Sequence, residues 1–107
     1  MCKDLKDCII HSAAEYYDIP EECLLYGNRE RKYSEPRHVV AYCLYRFAGM
    51  SYPAIARLFN KKSHRTIIYA VAKIDAWVNT PIMNKTAVEC INNVLDYINN
   101  AYLQSDN

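Results

Sequence analysis

The sequence predicts an all-α protein: about six helices around one core, including a helix-turn-helix with a basic loop. Three observations lead there. Only two of the 107 residues are glycine, at 27 and 49, too few for the tight hairpins of a β protein. Apolar residues return every three or four positions along most of the chain. Each such stretch is punctuated by a capping residue, a proline or a glycine. At 107 residues with 51% hydrophobic content, one domain covering 1–107 can bury a sufficient core without staples.

Leu5, Cys8, Ile9, Ala13 and Tyr16 form the apolar stripe of a first helix over 4–17. Pro20, Glu21 and Glu22 fit the first turn of a short second helix that ends near Leu25. Residues 27–33 are polar, basic and without period, and read as a loop. Ser34 is placed as the cap of a third helix, with Pro36 in its first turn, Val39, Val40, Cys43, Leu44 and Phe47 inward, and Gly49 just past its end. Ser51 caps a fourth helix, with Pro53 in the first turn, Ile55, Leu58 and Phe59 inward, and Asn60 in the left-handed conformation that stops it. Ser63 caps a fifth helix carrying Ile67, Ile68, Val71, Ile74 and Val78. A last helix spans about 84–102, with Val88, Ile91, Leu95, Ile98 and Tyr102 on one face and a second copy of the chain as a candidate partner. No repeat, low-complexity run or linker divides the chain.

Charge is distributed unevenly over these elements. Residues 29–73 hold ten basic and two acidic residues, a balance of +8, whereas the remainder holds three basic and ten acidic, a balance of −7. A basic face on a nearly neutral protein is the footprint of a polyanion binder. No stretch approaches the ~20 apolar residues of a membrane span, and Lys3, Asp4, Lys6 and Asp7 interrupt any signal-peptide core. A cytoplasmic protein is expected. The five cysteines show no C-x-x-C pair, so no metal or cofactor is expected and the usage fits a reducing compartment. Cys8 and Cys43 read as small core residues. His11 and His38 read as ordinary surface or boundary residues, and the ten tyrosines as packing residues with wet hydroxyls. No nucleophile–base pair, carboxylate pair or metal cluster marks an enzyme.

The segment 51–78 reads as helix, tight turn and longer helix. In a helix-turn-helix the first turn of the second helix meets base edges. Here that turn carries Ser63, His64, Arg65 and Thr66. Arg65 can pair with the acceptors of a guanine, while Ser63 and Thr66 can reach a base or a phosphate. His64 could also simply cap or pack. Tyr69 and Lys73 share the same side at i, i+4 spacing, and Lys61 and Lys62 sit where phosphates pass.

Glu15-Tyr16-Tyr17, Pro36-Arg37, Ser51-x-Pro53-x-Ile55 and Phe59-x-x-x-x-His64-x-Thr66 resemble the C-terminal DNA-binding domain of the bacterial replication initiator DnaA. The likeness runs without gaps from about Glu15 to Ile74. It implies an all-helical domain that binds short duplex boxes at replication origins, with the helix-turn-helix in the major groove and a basic loop in the adjacent minor groove. On this resemblance Arg29 is the minor-groove residue, within a loop that also offers Arg31 and Lys32. Arg37 is a backbone or base-edge contact, and His64 and Thr66 are recognition-helix contacts. The chain departs from the family at the turn. Lys62 and Ser63 stand for the usual arginine and aspartate, Arg65 for a threonine, and Asn60 and Lys61 for two glycines.

The initiator is also an ATPase, but two glycines cannot make a G-x-x-x-x-G-K-[ST] loop, so no nucleotide is expected to bind by that mechanism. Double-stranded DNA is the expected partner. The alternatives are a transcriptional regulator using the same surface and a protein-interaction module that has lost the DNA.

Overall fold

A computed structural model describes residues 4–26, 33–60, 63–80 and 84–103. The described chain forms six α-helices and a final π-helical turn, with no strand among the described residues. They are α1 (Leu5–Tyr17), α2 (Glu21–Tyr26), α3 (Ser34–Phe47), α4 (Tyr52–Leu58), α5 (Arg65–Asn79) and α6 (Lys85–Tyr97), followed by Ile98–Leu103.

The caps explain most boundaries. The Asp4 carboxylate accepts from the Asp7 amide at 2.8 Å and starts α1. Asp18 stops it in the left-handed region (φ 56°), while the Ile19 amide returns to the Ala14 carbonyl at 3.0 Å. Aspartate tolerates that conformation better than a bulkier residue would. Asn60 does the same after α4, at φ 59°. Gly49, at φ 68°, lets the Met50 amide reach back to the Leu44 carbonyl at 3.1 Å. Ser51 caps α4 by accepting from the Ala54 amide at 3.3 Å.

Two expected caps shift by one residue. Tyr33, not Ser34, occupies the cap position of α3, and Ser34 is its first helical residue. His64, not Ser63, occupies the cap position of α5, although the Ser63 hydroxyl still accepts from the Arg65 amide at 3.2 Å.

Helix α3 is the centre of the fold and packs against every other helix. Its expected stripe of Val39, Val40, Cys43 and Leu44 is buried, and Pro36, Ala41 and Tyr42 join it. Such all-round burial suits a helix enclosed by neighbours. Helix α5 lies along one side of α3, behind α4, and α1 and α6 pack together on another.

Both long C-terminal stripes differ from expectation. On α5 the buried residues are Ile67, Ala70, Val71 and Ile74, while Ile68 is 40% exposed. On α6 they are Ala87, Cys90, Ile91 and Val94, continued by Ile98, while Leu95 faces solvent. The small Ala87 and Cys90 allow close approach to α1. The helix also changes to π geometry at Ile98 rather than running as α-helix to residue 102. Cys8 is a small core residue as expected but is disulfide-bonded, which does not fit the reducing compartment read from the cysteine usage, whereas Cys23, Cys43 and Cys90 are free. Burial raises the Cys43 thiol pKa and pushes that of Cys90 up to about 12, so both stay protonated.

Candidate nucleic-acid interface

The first turn of α5 is open. Ser63, His64, Arg65 and Thr66 are all exposed. The helix is held from behind by Ile67, Ala70, Val71 and Ile74, so the opposite side, bearing Arg65 and Tyr69, points outward by its 3.6-residue period. The Arg65 guanidinium has no hydrogen-bond or ion-pair partner among the described residues. The Thr66 hydroxyl makes only a long donation to the Ser63 carbonyl, at 3.5 Å. Four polar side chains are thus presented without being consumed by the fold.

Arg37 is placed differently. Its Nε donates to the Leu24 carbonyl at 2.9 Å and its Nη2 to the Cys23 carbonyl at 2.8 Å. These carbonyls belong to the last turn of α2, where a cation complements both the unpaired oxygens and the helix dipole. Arg37 also lies over the Tyr33 ring, 5.6 Å from its centre. It therefore ties α2 to α3, and any contact it makes outward uses the remaining guanidinium protons.

Farther along α5, Tyr69 is the most exposed large hydrophobic residue among the described residues, at 62%. The Lys73 ammonium lies 5.9 Å from the Tyr69 ring centre and 5.3 Å from that of Trp77. His38, read from sequence as an ordinary boundary residue, instead meets Tyr69 edge-to-face, with ring centres 6.4 Å apart at 88°. Burial lowers the His38 pKa, Lys73 lowers it further and Glu35 opposes them. At neutral pH it is an uncharged ring.

Ser34, Glu35, His38, Lys73 and Trp77 line a shallow cleft between α3 and α5. Glu35 accepts from the Tyr17 hydroxyl at 2.8 Å and from Asn84 Nδ2 at 2.7 Å. Asn84 also caps α6 by accepting from the Ala87 amide at 3.1 Å. Burial and then the Glu35 hydrogen bond raise the Tyr17 pKa, so the phenol stays a donor. One carboxylate thereby joins α1, α3 and the start of α6, from partners 18 and 49 residues away.

His11 also has partners that were not expected. Its Nδ1 lies 3.2 Å from Glu21 and its Nε2 3.3 Å from Glu15. The i, i+4 spacing of His11 and Glu15 was the available signal.

Arg29, Arg31, Lys32, Lys61 and Lys62 lie outside the described residues. The site that can be described therefore joins Arg65, Thr66, Tyr69 and Lys73 on α5 with Ser63 and His64 just before it, and Arg37 on the neighbouring α3. No group of three or more potential metal-ligating side chains occurs among the described residues, and none of their helices is long and apolar enough to cross a membrane.

The family model described as the bacterial dnaA protein helix-turn-helix matches residues 6–74. Similar proteins include the chromosomal replication initiator protein DnaA of Magnetococcus marinus, 34% identical over 64 residues, which cover 60% of this chain and 14% of that protein. DnaA of Aquifex aeolicus is 31% identical over 67 residues, 63% of this chain and 17% of that protein. DnaA of Picosynechococcus is 29% identical over 93 residues, 87% of this chain and 20% of that protein. The chain thus spans a fifth or less of these relatives.

Proposed function

Because the chain belongs to the bacterial dnaA protein helix-turn-helix family, we propose that it binds duplex DNA sequence-specifically, as an origin-type box binder. The observation that carries this reading is the exposed start of α5, where Arg65 is held by a buried helix face and has no partner among the described residues. We place the binder in the cytoplasm and treat residues 1–107 as one unit, since a shared core includes residues of all six helices.

In this reading α5 enters the major groove. Arg65 seeks the N7 and O6 acceptors of a guanine, and His64 and Thr66 meet neighbouring base edges or phosphates. The N-terminal end of α5 and the side chains of Lys61, Lys62 and Lys73 meet phosphates. Arg29, with Arg31 and Lys32 beside it, enters the minor groove, where a narrow A·T tract attracts arginine. Arg37 braces the second and third helices and adds a contact at their edge.

The substitutions at the turn bear on which box is read. An aspartate can accept from the cytosine amino group; Ser63 is far less selective. A small hydroxyl has become the fork of Arg65, which favours guanine. The preferred site therefore loses a cytosine preference at one position and gains a guanine nearby, while the A·T preference of the minor groove persists.

Selection from random duplex DNA tests the proposal, followed by titration of the best site beside the family's consensus box. A recurrent site that outcompetes the consensus box is expected. If the consensus box binds most tightly, Ser63 and Arg65 do not alter recognition. If no site emerges, the proposed function fails.

A further inference from the structure

We infer that Tyr69 is a specificity-determining residue that reads the C5-methyl group of a thymine in the major groove, with His38 as its positioning residue. This rests on the DNA-binding reading and goes further by assigning a base feature to an uncharged side chain. Tyr69 follows Arg65 by four residues, so the two stand one turn apart on the same outward side of α5. A helix whose first turn meets base edges carries its next turn along the same groove.

The Tyr69 ring stands 62% exposed on that side, and its neighbours limit its motion. His38, on the core helix α3, meets the ring in an edge-to-face arrangement at 88°, and the Lys73 ammonium lies 5.9 Å from the ring centre. Glu35 and Lys73 are the charged groups acting on His38. The only apolar feature that a base edge displays in the major groove is the thymine methyl. A guided aromatic face matches it, whereas the Tyr69 hydroxyl has no hydrogen-bond partner among the described residues that would hold the ring for another purpose.

The experiment replaces each thymine of the best selected duplex, one at a time, by deoxyuridine, which lacks only that methyl. Wild-type affinity is expected to fall at one or two positions by roughly fourfold, the transfer value of a single methyl group. Tyr69→Ala should bind the thymine duplex more weakly by a similar or larger factor and show no further loss at those positions. Tyr69→Phe should keep the full sensitivity. His38→Ala should blunt it, and His38→Phe, which retains an aromatic edge, should restore it.

Undiminished sensitivity to deoxyuridine in Tyr69→Ala overturns the assignment. So does an equal loss by Tyr69→Phe on every sequence, which would make the hydroxyl a phosphate contact. A wild-type chain that binds no duplex at all brings down the DNA reading, and this inference with it.

Discussion

Helices α5 and α6 bury themselves alike and expose opposite chemistries. Each has four buried residues at helical spacing, Ile67, Ala70, Val71 and Ile74 on one and Ala87, Cys90, Ile91 and Val94 on the other. Outward, α6 shows Thr86, Glu89, Asn92, Asn93 and Asp96, a mostly polar face on which Leu95, at 36%, is the one large apolar residue exposed. Outward, α5 shows Arg65, Thr66, Ile68 and Tyr69, a cation beside apolar bulk. The buried side of a helix thus identifies its place in the fold, and the exposed side identifies what it meets. An exposed isoleucine and tyrosine beside an arginine that has no partner among the described residues set α5 apart from the asparagines of α6.

The largest expected effects treat the two helices equally. Ile74→Ala on α5 and Ile91→Ala on α6 should each cost ~2–5 kcal/mol of stability, from lost transfer energy and the cavity left behind. Urea denaturation measures both, and a cost below about 1 kcal/mol for either would mean its buried stripe is misplaced.

The next effect separates them. Arg65→Ala should cost ~1–3 kcal/mol of binding to the best site and relax one base position, with unchanged stability. Asn92→Ala should alter neither. Lys61→Ala should weaken all sequences about equally, since a phosphate contact carries no sequence information. Equal loss of discrimination in the Arg65 and Lys61 variants would show that the assigned roles are wrong.

A third effect concerns how α6 is moored. Asn84→Ala removes both the cap of α6 and a donor to Glu35, and should destabilise by ~0.5–2 kcal/mol while base discrimination is retained. Thermal melting and titration of the same variant check the two halves of that statement.

The smallest effect is one of pH. His38 has a lowered pKa in the fold, so the unfolded chain binds its proton more readily. Stability contributed by neutral His38 is therefore present above about pH 6.5 and declines as pH falls through the folded-state value. His38→Gln should flatten that part of the stability–pH curve; an unchanged curve would mean that His38 does not titrate differently on folding.

The elements of the fold were legible because local signals agree. Ser51, Pro53 and Asn60 bracket α4, and Gly49 ends α3, each by its own backbone chemistry. Which side of a helix faces inward was less legible. On α6 the bulky set Val88, Ile91, Leu95 and Ile98 competes with Ala87, Cys90, Ile91, Val94 and Ile98, about one residue of rotation away. Close packing on α1 favours the set with the smaller side chains, and sequence alone does not show that proximity. On α5, the apolar character of Ile68 predicts an inward position, whereas its exposure places it on the outward face.

In the site, the exposed α5 start was legible from the charge and spacing of its residues. The contacts of His38 with Tyr69 and of Glu35 with Asn84 were not, because they join residues 31 and 49 apart and no local period encodes them.

The most direct test of the account is the salt dependence of binding by the wild-type chain to its best selected duplex. If the basic face neutralises about five phosphates, log K falls against log[salt] with a slope of roughly −4 to −5. Binding that is independent of salt, or absent even at low salt, would contradict it.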